Sequence, residues 1–230
     1  MSADESKGAS FAALLPMKGH SERVSNKNLR NFCGKPLFYY ILDTLIQCRY
    51  VTRVYVDTDS KEIADKAESF SEKVCIIHRP DELCGDMVSM NNIIEYDITR
   101  ITEKYFIQTH STNPLLKVQT LEAACKKFLE GLPAYDSLFS VNRWQTRLYD
   151  VRGKAVNHNP DQLIRTQDLE PLYEENSNFY IFSRESFQQA HARIGMNPQM
   201  LSMDKLESVD IDEEQDFLLA EQIYKMLHDE

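Results

Sequence analysis

The feature that most constrains the fold of this chain is a repeated alternation of short apolar runs with segments of helical periodicity. The apolar runs are β-type in composition and lie at residues 11–15, 54–56, 74–77, 105–107 and 137–141. Helical spacing of apolar residues fills the intervals, at residues 37–48, 61–70, 91–101 and 118–129. Strands that alternate with helices in this way form a mainly parallel sheet with helices on both faces. The sequence therefore predicts an α/β fold.

The alternation breaks between residues 143 and 175, where the chain is polar and its aromatic residues are irregularly spaced. The frequent aromatic residues favour an inserted arm or hairpin over disorder. Beyond this segment, strands are predicted at residues 179–182 and 208–211, and a closing helix at residues 216–227. Residues 1–10 are polar and are interpreted as a disordered lead-in, which leaves a single domain at residues 11–230.

The charge and the cysteine content exclude several classes of protein. The chain has 26 Lys and Arg against 36 Asp and Glu, a net charge of -10, which is unfavourable for wrapping nucleic acid. No apolar run reaches the roughly 18 residues of a membrane span. The five cysteines are scattered and never spaced as CxxC. That spacing argues against a disulfide framework or a zinc site and indicates a cytoplasmic protein.

The segment after the first predicted strand, residues 16–28, has the composition of a phosphate-binding loop. It contains the cations Lys18, Arg23 and Lys27 together with Gly19 and several small polar residues. A triphosphate needs fixed positive charge and closely approaching backbone N–H donors, and ligands bind beyond the carboxyl ends of the strands in such sheets. The segment matches neither GxxxxGK[ST] nor GxGxxG, which excludes a P-loop and a dinucleotide site on pattern. The alternative is a solvated surface loop.

Two further polar segments follow predicted strands. Asp57 and Asp59 can hold a metal ion or a ribose hydroxyl, but carboxylates before a helix also form turns and caps, and Ser60 is a plausible N-cap. Residues 108–114 are all polar or turn-forming and can hydrogen-bond a base, a ribose or a sugar. His110 in that segment is as readily a structural or surface group, and we do not interpret it as a general base.

Near the C-terminus, Asp210 and Asp212 lie two residues apart on a predicted strand. Residues i and i+2 of a strand share a face, so both carboxylates point to one side while Val209 and Ile211 point to the other. Paired carboxylates suit Mg²⁺, which takes its remaining ligands from substrate phosphates and water. The alternative is an edge strand whose solvent face is acidic.

Five short motifs lie at or near these predicted strand ends. They are Lys27-Asn28-Leu29 with Gly34-Lys35-Pro36-Leu37, Asp57-Thr58-Asp59, Arg79-Pro80-Asp81-Glu82-Leu83, Thr112-Asn113-Pro114-Leu115 and Ser208-Val209-Asp210-Ile211-Asp212. In their types and their order the chain resembles the acylneuraminate (sialic acid) cytidylyltransferase family. The resemblance runs from about Phe11 to Leu227, which is nearly the whole chain.

The resemblance implies a Rossmann-like nucleotidyltransferase sheet with an inserted dimerisation arm at residues 143–175. It implies that CTP and an acidic 2-keto-3-deoxy sugar, such as a sialic acid, react to give a CMP-sugar and pyrophosphate, in a homodimer that uses Mg²⁺. Lys18, Lys27 and Asp212 are the implied catalytic residues, and Asp210 with Asp212 the implied metal ligands. The implied nucleotide and substrate contacts are Ser21, Arg23, Asn28, Asp59, His110, Arg165 and Gln167.

Three positions depart from the family pattern. Lys18 stands where Arg is usual and lacks the bidentate guanidinium fork, His110 stands at a Gln position, and Met90 stands at a Ser position. Arg23 can restore the fork, and it gives the loop a likeness to the Kdo cytidylyltransferases. Two alternatives therefore remain open: a Kdo-type cytidylyltransferase and a non-catalytic relative that binds a nucleotide.

Overall fold

The computed structural model describes residues 9–21, 23–85 and 87–228. The strands are β1 (Phe11–Met17), β2 (Asn31–Phe32), β3 (Lys35–Pro36), β4 (Val51–Thr58), β5 (Val74–His78), β6 (Tyr105–Thr109), β7 (Ser137–Trp144), β8 (Leu172–Ser183) and β9 (Pro198–Ser202). The helices are α1 (Phe38–Gln47), α2 (Lys61–Glu68), α3 (Met90–Ile98), α4 (Val118–Gly131), α5 (Arg184–Ala190) and α6 (Glu214–His228). β2 and β3 form a small hairpin, and seven strands form one sheet in the order β5-β4-β1-β6-β8-β7-β9.

The sheet is mainly parallel, as the sequence predicts. β1 pairs in parallel with β4 and β6, β4 with β5, and β7 with β9. β8 runs antiparallel to both of its neighbours, β6 and β7. Because neighbouring parallel strands end at the same edge, the loops that follow β1, β4 and β6 lie side by side. This edge of the sheet carries the candidate site.

The burial of β1 explains why this sequence forms such a sheet. Every residue of β1 is buried, and alternate side chains enter different clusters. Leu15 packs in a cluster with Phe38 of α1, whereas Leu14 packs in another with Phe106 and with Ile94 of α3. A central strand that is covered by helices on both faces needs an uninterrupted apolar run, which is what the sequence provides.

The strand predicted at residues 208–211 is wrong, because that segment pairs with no strand of the described chain. Its backbone is bonded to loops and side chains instead: the Ile211 N–H donates to the Thr112 carbonyl at 2.9 Å, and the Asn113 amide donates to the Val209 carbonyl at 3.4 Å. Ile211 is fully buried in a cluster with Val24 and with Phe217 of α6. The apolar residues of this segment therefore reflect burial against the first loop and α6, not pairing in the sheet.

α5 and β9 are not predicted from the sequence, whereas α2 lies where it is predicted. Ser60 caps α2, since its hydroxyl accepts a hydrogen bond from the Ile63 N–H at 3.4 Å. β9 follows α5 after a short mixed segment, residues 191–197, and lies at the edge of the sheet against β7. An edge strand of five residues with two exposed polar or proline positions gives little periodic signal.

The inserted segment at residues 143–175 begins and ends in the sheet. β7 and β8 stay paired up to Trp144 opposite Leu172, and an isolated bridge joins Tyr149 to Ala155. A 3-10 turn at Thr166–Asp168 precedes the return into β8. The segment is thus a folded-back arm between two antiparallel strands, and its part in dimerisation stays a prediction.

The lead-in predicted at residues 1–10 lies, except for Ala9 and Ser10, outside the described residues. Ala9 is half-buried and packs against the main hydrophobic cluster. Across the described chain, none of the helices combines the length and the apolar character that crossing a membrane requires.

Candidate active site

The loop after β1 and the C-terminal aspartates meet across one cleft at the edge of the sheet. The Arg23 guanidinium lies 2.8 Å from Asp212 Oδ1, and Lys27 Nζ donates to the Ile211 carbonyl at 2.6 Å. These contacts join residues 184 or more positions apart in the chain. Two groups that the sequence analysis assigned to phosphate and to metal are therefore neighbours, as a nucleotide triphosphate site requires.

Lys27 is a partly buried cation of this cleft. Burial lowers the pKa of its ammonium group, and the carboxylates of Asp212 and Asp210 partly offset that effect. The ammonium group is thus only half-exposed and already faces two acidic residues. A half-buried cation exerts a stronger field on an incoming phosphate than a solvated one.

Asn28 fixes the loop to the segment that follows β6. Its Nδ2 donates to the Lys18 carbonyl at 2.9 Å, and its Oδ1 accepts from the Ser111 hydroxyl at 2.6 Å. Lys18 Nζ reaches the Gly85 carbonyl at 3.4 Å, on the loop before α3, and Ser21 is half-buried in the same loop. Asn28 therefore holds the shape of the loop, while Lys18 lies on its exposed side.

Asp59 holds the start of the loop to the end of β4. Its Oδ1 accepts from the Gly19 N–H at 2.6 Å. A Cβ atom on Gly19 would come within 2.8 Å of Ser60 Cβ, so this close approach of loop and helix requires glycine. Asp59 thus supports the backbone of the loop, and a direct contact with the nucleotide stays a prediction.

Asp210 and Asp212 differ in their surroundings although both face Lys27. Burial raises the pKa of Asp210, a hydrogen bond from Thr112 partly offsets that effect, and its Oδ1 is a buried acceptor without a partner in the described chain. Asp212 is about half-exposed, and its N–H donates to Asp216 at 3.1 Å. A buried carboxylate oxygen without a donor is a suitable ligand for a cation.

The donor set fits Mg²⁺ in combination with a phosphate ligand. Within residues 9–21, 23–85 and 87–228, no group of three or more His, Cys, Asp or Glu side chains is arranged to hold a metal ion alone. Two carboxylates are nevertheless a sufficient protein contribution for Mg²⁺, which keeps water and binds substrate phosphates. An ion held by Asp210 and Asp212 would therefore bind together with the nucleotide.

His110 lies in a cluster that the sequence analysis did not foresee. The Arg193 guanidinium stacks on the Tyr180 ring at 3.6 Å, donates to Gln108 Oε1 at 2.7 Å and lies 3.2 Å from His110 Nε2. Burial, then Arg193 and Lys27, lower the pKa of His110 to about 3. His110 is followed by Ser111, whose hydroxyl donates to Asn28 of the loop after β1 at 2.6 Å, so this cluster lies beside the same cleft. Arg193 follows the unpredicted helix α5 and carries no sequence signal of its own.

Beneath Asp59 lies a buried ionic cluster of Asp57, Arg79 and Asp97. The Arg79 Nε–H donates to Asp57, and burial followed by the Asp57 carboxylate raises the pKa of Asp97 to about 9. A protonated Asp97 is the donor that Asp57 Oδ2 otherwise lacks. Asp57, which lies in β4, is therefore a structural residue of a buried ion pair, a role different from the turn or cap that was the alternative to a ligand.

Arg165 and Gln167 do not reach the cleft of their own chain. Arg165 pairs with Asp168 at 2.7 Å in the 3-10 turn of the arm, and the Gln167 carbonyl accepts from Gln145 at 2.9 Å. Both residues are exposed. Their predicted role in binding substrate therefore depends on a second copy of the chain.

Comparison with known proteins matches residues 12–227 to a family described as cytidylyltransferase. The chain belongs to the cytidylyltransferase family. This confirms the resemblance drawn from the five motifs, and it makes the protein a nucleotidyltransferase.

Several relatives of this cytidylyltransferase are named for acidic sugars. It is 24% identical over 229 residues to a pseudaminic acid cytidylyltransferase of Campylobacter jejuni, covering 94% of this chain and 97% of that protein. It is 28% identical to N-acylneuraminate cytidylyltransferase A of Danio rerio, and it spans about half of that protein's length, 51%. Among solved structures, a CMP:2-keto-3-deoxy-manno-octonic acid synthetase complexed with CTP has a TM-score of 0.69 at 13% identity, covering 95% of this chain and 100% of that one. That likeness shows a common fold.

Proposed function

We propose that this cytidylyltransferase couples CTP to an acidic 2-keto-3-deoxy sugar of the sialic acid type, forming a CMP-sugar and releasing pyrophosphate. The observation that carries the proposal is the cleft in which Lys27 and Arg23 face Asp210 and Asp212. The names of the relatives, pseudaminic acid and N-acylneuraminate cytidylyltransferases, support the sugar class.

In the proposed reaction the anomeric hydroxyl of the sugar attacks the α-phosphorus of CTP, and the bond to pyrophosphate breaks. Lys18, Lys27 and Arg23 offset the negative charge that builds on the leaving pyrophosphate. Asn28 and the Gly19 N–H, both held by the contacts described above, keep the loop in one shape, so that little reorganisation accompanies the reaction.

Arg23 is suited to move between partners during this reaction. Its ion pair with Asp212 is exposed, with 59% of the Arg23 side chain and 49% of the Asp212 side chain accessible. Exposed pairs of this kind contribute roughly 0–1 kcal/mol, so the guanidinium can leave Asp212 for a phosphate at little cost. Asp212 then becomes available to a cation.

Mg²⁺ is part of the proposal, and Asp210 and Asp212 are the residues that would hold it. When bound there, the ion would neutralise charge on the phosphates and lower the pKa of a coordinated hydroxyl. The buried acceptor on Asp210 supports this assignment.

A homodimer is the proposed assembly, formed through the arm at residues 143–175. The arm exposes several large apolar side chains, which are Trp144, Tyr149, Val151, Val156, Leu163, Ile164 and Tyr173. An exposed apolar surface of this kind favours pairing with a second copy, which would bring Arg165 and Gln167 to the neighbouring cleft. The five free cysteines are compatible with a reducing compartment, and we propose a cytoplasmic location.

The proposal is tested by measuring pyrophosphate release from CTP and Mg²⁺ with a panel of 2-keto-3-deoxy acids of eight and nine carbons. Release with nine-carbon acids and with CTP in preference to UTP is the expected result. Release with the eight-carbon acid alone would instead support the Kdo-type alternative. CTP binding without pyrophosphate release from any acid would support the non-catalytic alternative and contradict the proposal.

A further inference from the structure

Arg193 is an arginine held by four different groups beside the cleft. Its side chain is 18% exposed, and its nearest carboxylate, Glu175, is 3.8 Å away. The guanidinium carbon lies over the Tyr180 ring, 3.6 Å from its centroid, and Nη1 donates to Gln108 Oε1 at 2.7 Å. Stacking together with a directed hydrogen bond leaves the guanidinium one orientation.

That orientation determines which nitrogen of His110 carries the proton. Arg193 Nη1 lies 3.2 Å from His110 Nε2, and a guanidinium nitrogen only donates. The Gln108 amide nitrogen lies 3.2 Å from the same atom and is the donor end of that side chain, because Oε1 accepts from Arg193. His110 Nε2 therefore accepts, and the single proton of the neutral ring lies on Nδ1.

The ring stays neutral at physiological pH. Burial, Arg193 and Lys27 all lower the pKa of His110. Glu175 faces Arg193, and it accepts a hydrogen bond from the Tyr180 hydroxyl. Burial is also the first cause that raises the pKa of Tyr180 to about 12, so this neighbour is uncharged as well. His110 therefore acts as a hydrogen-bond donor and not as a proton carrier.

We propose that Arg193 is a positioning residue that fixes His110 as an Nδ1–H donor toward the acceptor sugar. The inference rests on the proposed function for the identity of the acceptor. His110 is partly exposed, it follows β6 directly, and it precedes Thr112, whose carbonyl holds the Ile211 N–H of the aspartate segment. A fixed N–H at this point of the cleft suits a hydroxyl or carboxylate oxygen of the sugar.

The tautomer is tested by NMR of the full chain labelled with ¹⁵N at its six histidines, with His110→Gln used to assign the resonance. His110 is expected to be protonated on Nδ1 and not to titrate between pH 5 and pH 8. In Arg193→Met the ring should titrate at least one pH unit higher and populate both tautomers. Should that variant fail to fold, Arg193→Gln, which keeps a polar group in the site, is expected to show the same changes.

Arg184→Met is the matched control. Arg184 also lies over an aromatic ring, Phe106 at 5.2 Å, and donates to backbone carbonyls, but it lies where β6 begins, at the opposite edge of the sheet. Loss of the Arg184 guanidinium should leave the tautomer and the titration of His110 unchanged. An Nε2-protonated His110 in the unsubstituted protein, or a His110 signal that Arg193→Met and Arg193→Gln leave as it was, would overturn the proposal.

The expected kinetic consequence is a change in the KM for the acceptor sugar and not in the KM for CTP. Arg193→Met should raise the KM for the acceptor about tenfold, the size of one lost charge-assisted hydrogen bond, and leave the KM for CTP within about twofold. An equal rise in both KM values would indicate a structural role and contradict the positioning role. The NMR result needs no turnover, so failure of this inference is distinguishable from failure of the proposed function.

Discussion

Two arginine–aspartate pairs at the same edge of the sheet have opposite environments. The pair of Arg23 and Asp212 is about half-exposed, whereas 1% of the Arg79 side chain and none of the Asp57 side chain is accessible. The exposed pair contributes little free energy in water, so its members can exchange partners. Breaking the buried pair leaves a charge in the interior without a partner. The exposed charges are thus available to substrate, and the buried charges hold the scaffold that places them.

The buried pair acts on the cleft through the backbone. Besides Asp57, Arg79 contacts the end of β4 through its own N–H, which donates to the Thr58 carbonyl at 3.1 Å. Asp97 joins from α3. The next residue after Thr58 is Asp59, which holds the Gly19 N–H, so the ionic cluster supports the loop that carries Lys18 and Lys27.

The largest expected effect concerns the exposed pair. Asp212→Asn should lower turnover by at least about 10³-fold, or about 4 kcal/mol, because a cation and its charge neutralisation are lost. Folding should be unaffected, since Asp212 is about half-exposed. Steady-state rates and circular dichroism measure both. Asp65→Asn, which breaks the exposed pair of Lys61 and Asp65, is the control and should be fully active. Near-normal turnover of Asp212→Asn at saturating CTP and low Mg²⁺ would contradict the assignment.

The next effect is a difference between Arg79 and Arg23 in their contribution to the free energy of unfolding. Arg79→Met should lower the free energy of unfolding by about 3 kcal/mol or more, because Asp57 would remain buried and unpaired. Arg23→Met should lower it by less than about 1 kcal/mol. Urea denaturation of both variants at pH 7 gives the comparison. Equal losses in the two variants would remove the distinction between the pairs.

A smaller effect is the pH dependence of the free energy of unfolding, which the buried cluster of Asp57, Arg79 and Asp97 causes. Asp97 keeps its proton up to about pH 9 in the folded chain but releases it near pH 4 when unfolded. Between those values the unfolded state binds fewer protons, so stability falls as the pH rises, by at most about 1.4 kcal/mol per pH unit. Asp97→Asn, which keeps a donor toward Asp57, should remove this slope. Urea midpoints at pH 6, 7 and 8 measure it, and identical slopes in both proteins would show that Asp97 is ionised in the folded state.

The parts of this structure that the sequence predicts are those with local signals. The continuous apolar run of β1 and the cap at Ser60 are each encoded within a few residues, and both are confirmed. The sequence analysis expected the loop at residues 16–28 to meet Asp210 and Asp212 from a rule about strand ends, but the aspartate segment is not a strand. The hydrogen bond from the Ile211 N–H to the Thr112 carbonyl after β6 holds the segment at this edge instead. The structure bears out that proximity, while the catalytic roles stay predictions.

The parts that the sequence did not predict depend on distant partners. Ile211 looks like a strand residue until Val24 and Phe217 are seen to bury it. Asp97 is one polar residue in a helix, and its importance comes from Asp57, 40 residues earlier in the chain. Arg193 is likewise ordinary in sequence, because its orientation is set by Tyr180 and Gln108. Such side chains acquire their roles only when tertiary packing brings the partners together.

The central claim, that one CTP molecule binds between Lys27 and the two aspartates, is tested most directly by calorimetric titration with CTP in the presence and absence of Mg²⁺. In the unsubstituted protein Mg²⁺ should tighten CTP binding at least about tenfold. Lys27→Ala should weaken binding in both conditions, and the double variant Asp210→Asn/Asp212→Asn should lose only the gain from Mg²⁺. If both variants bind CTP with Mg²⁺ as tightly as the unsubstituted protein does, the cleft is not the nucleotide site.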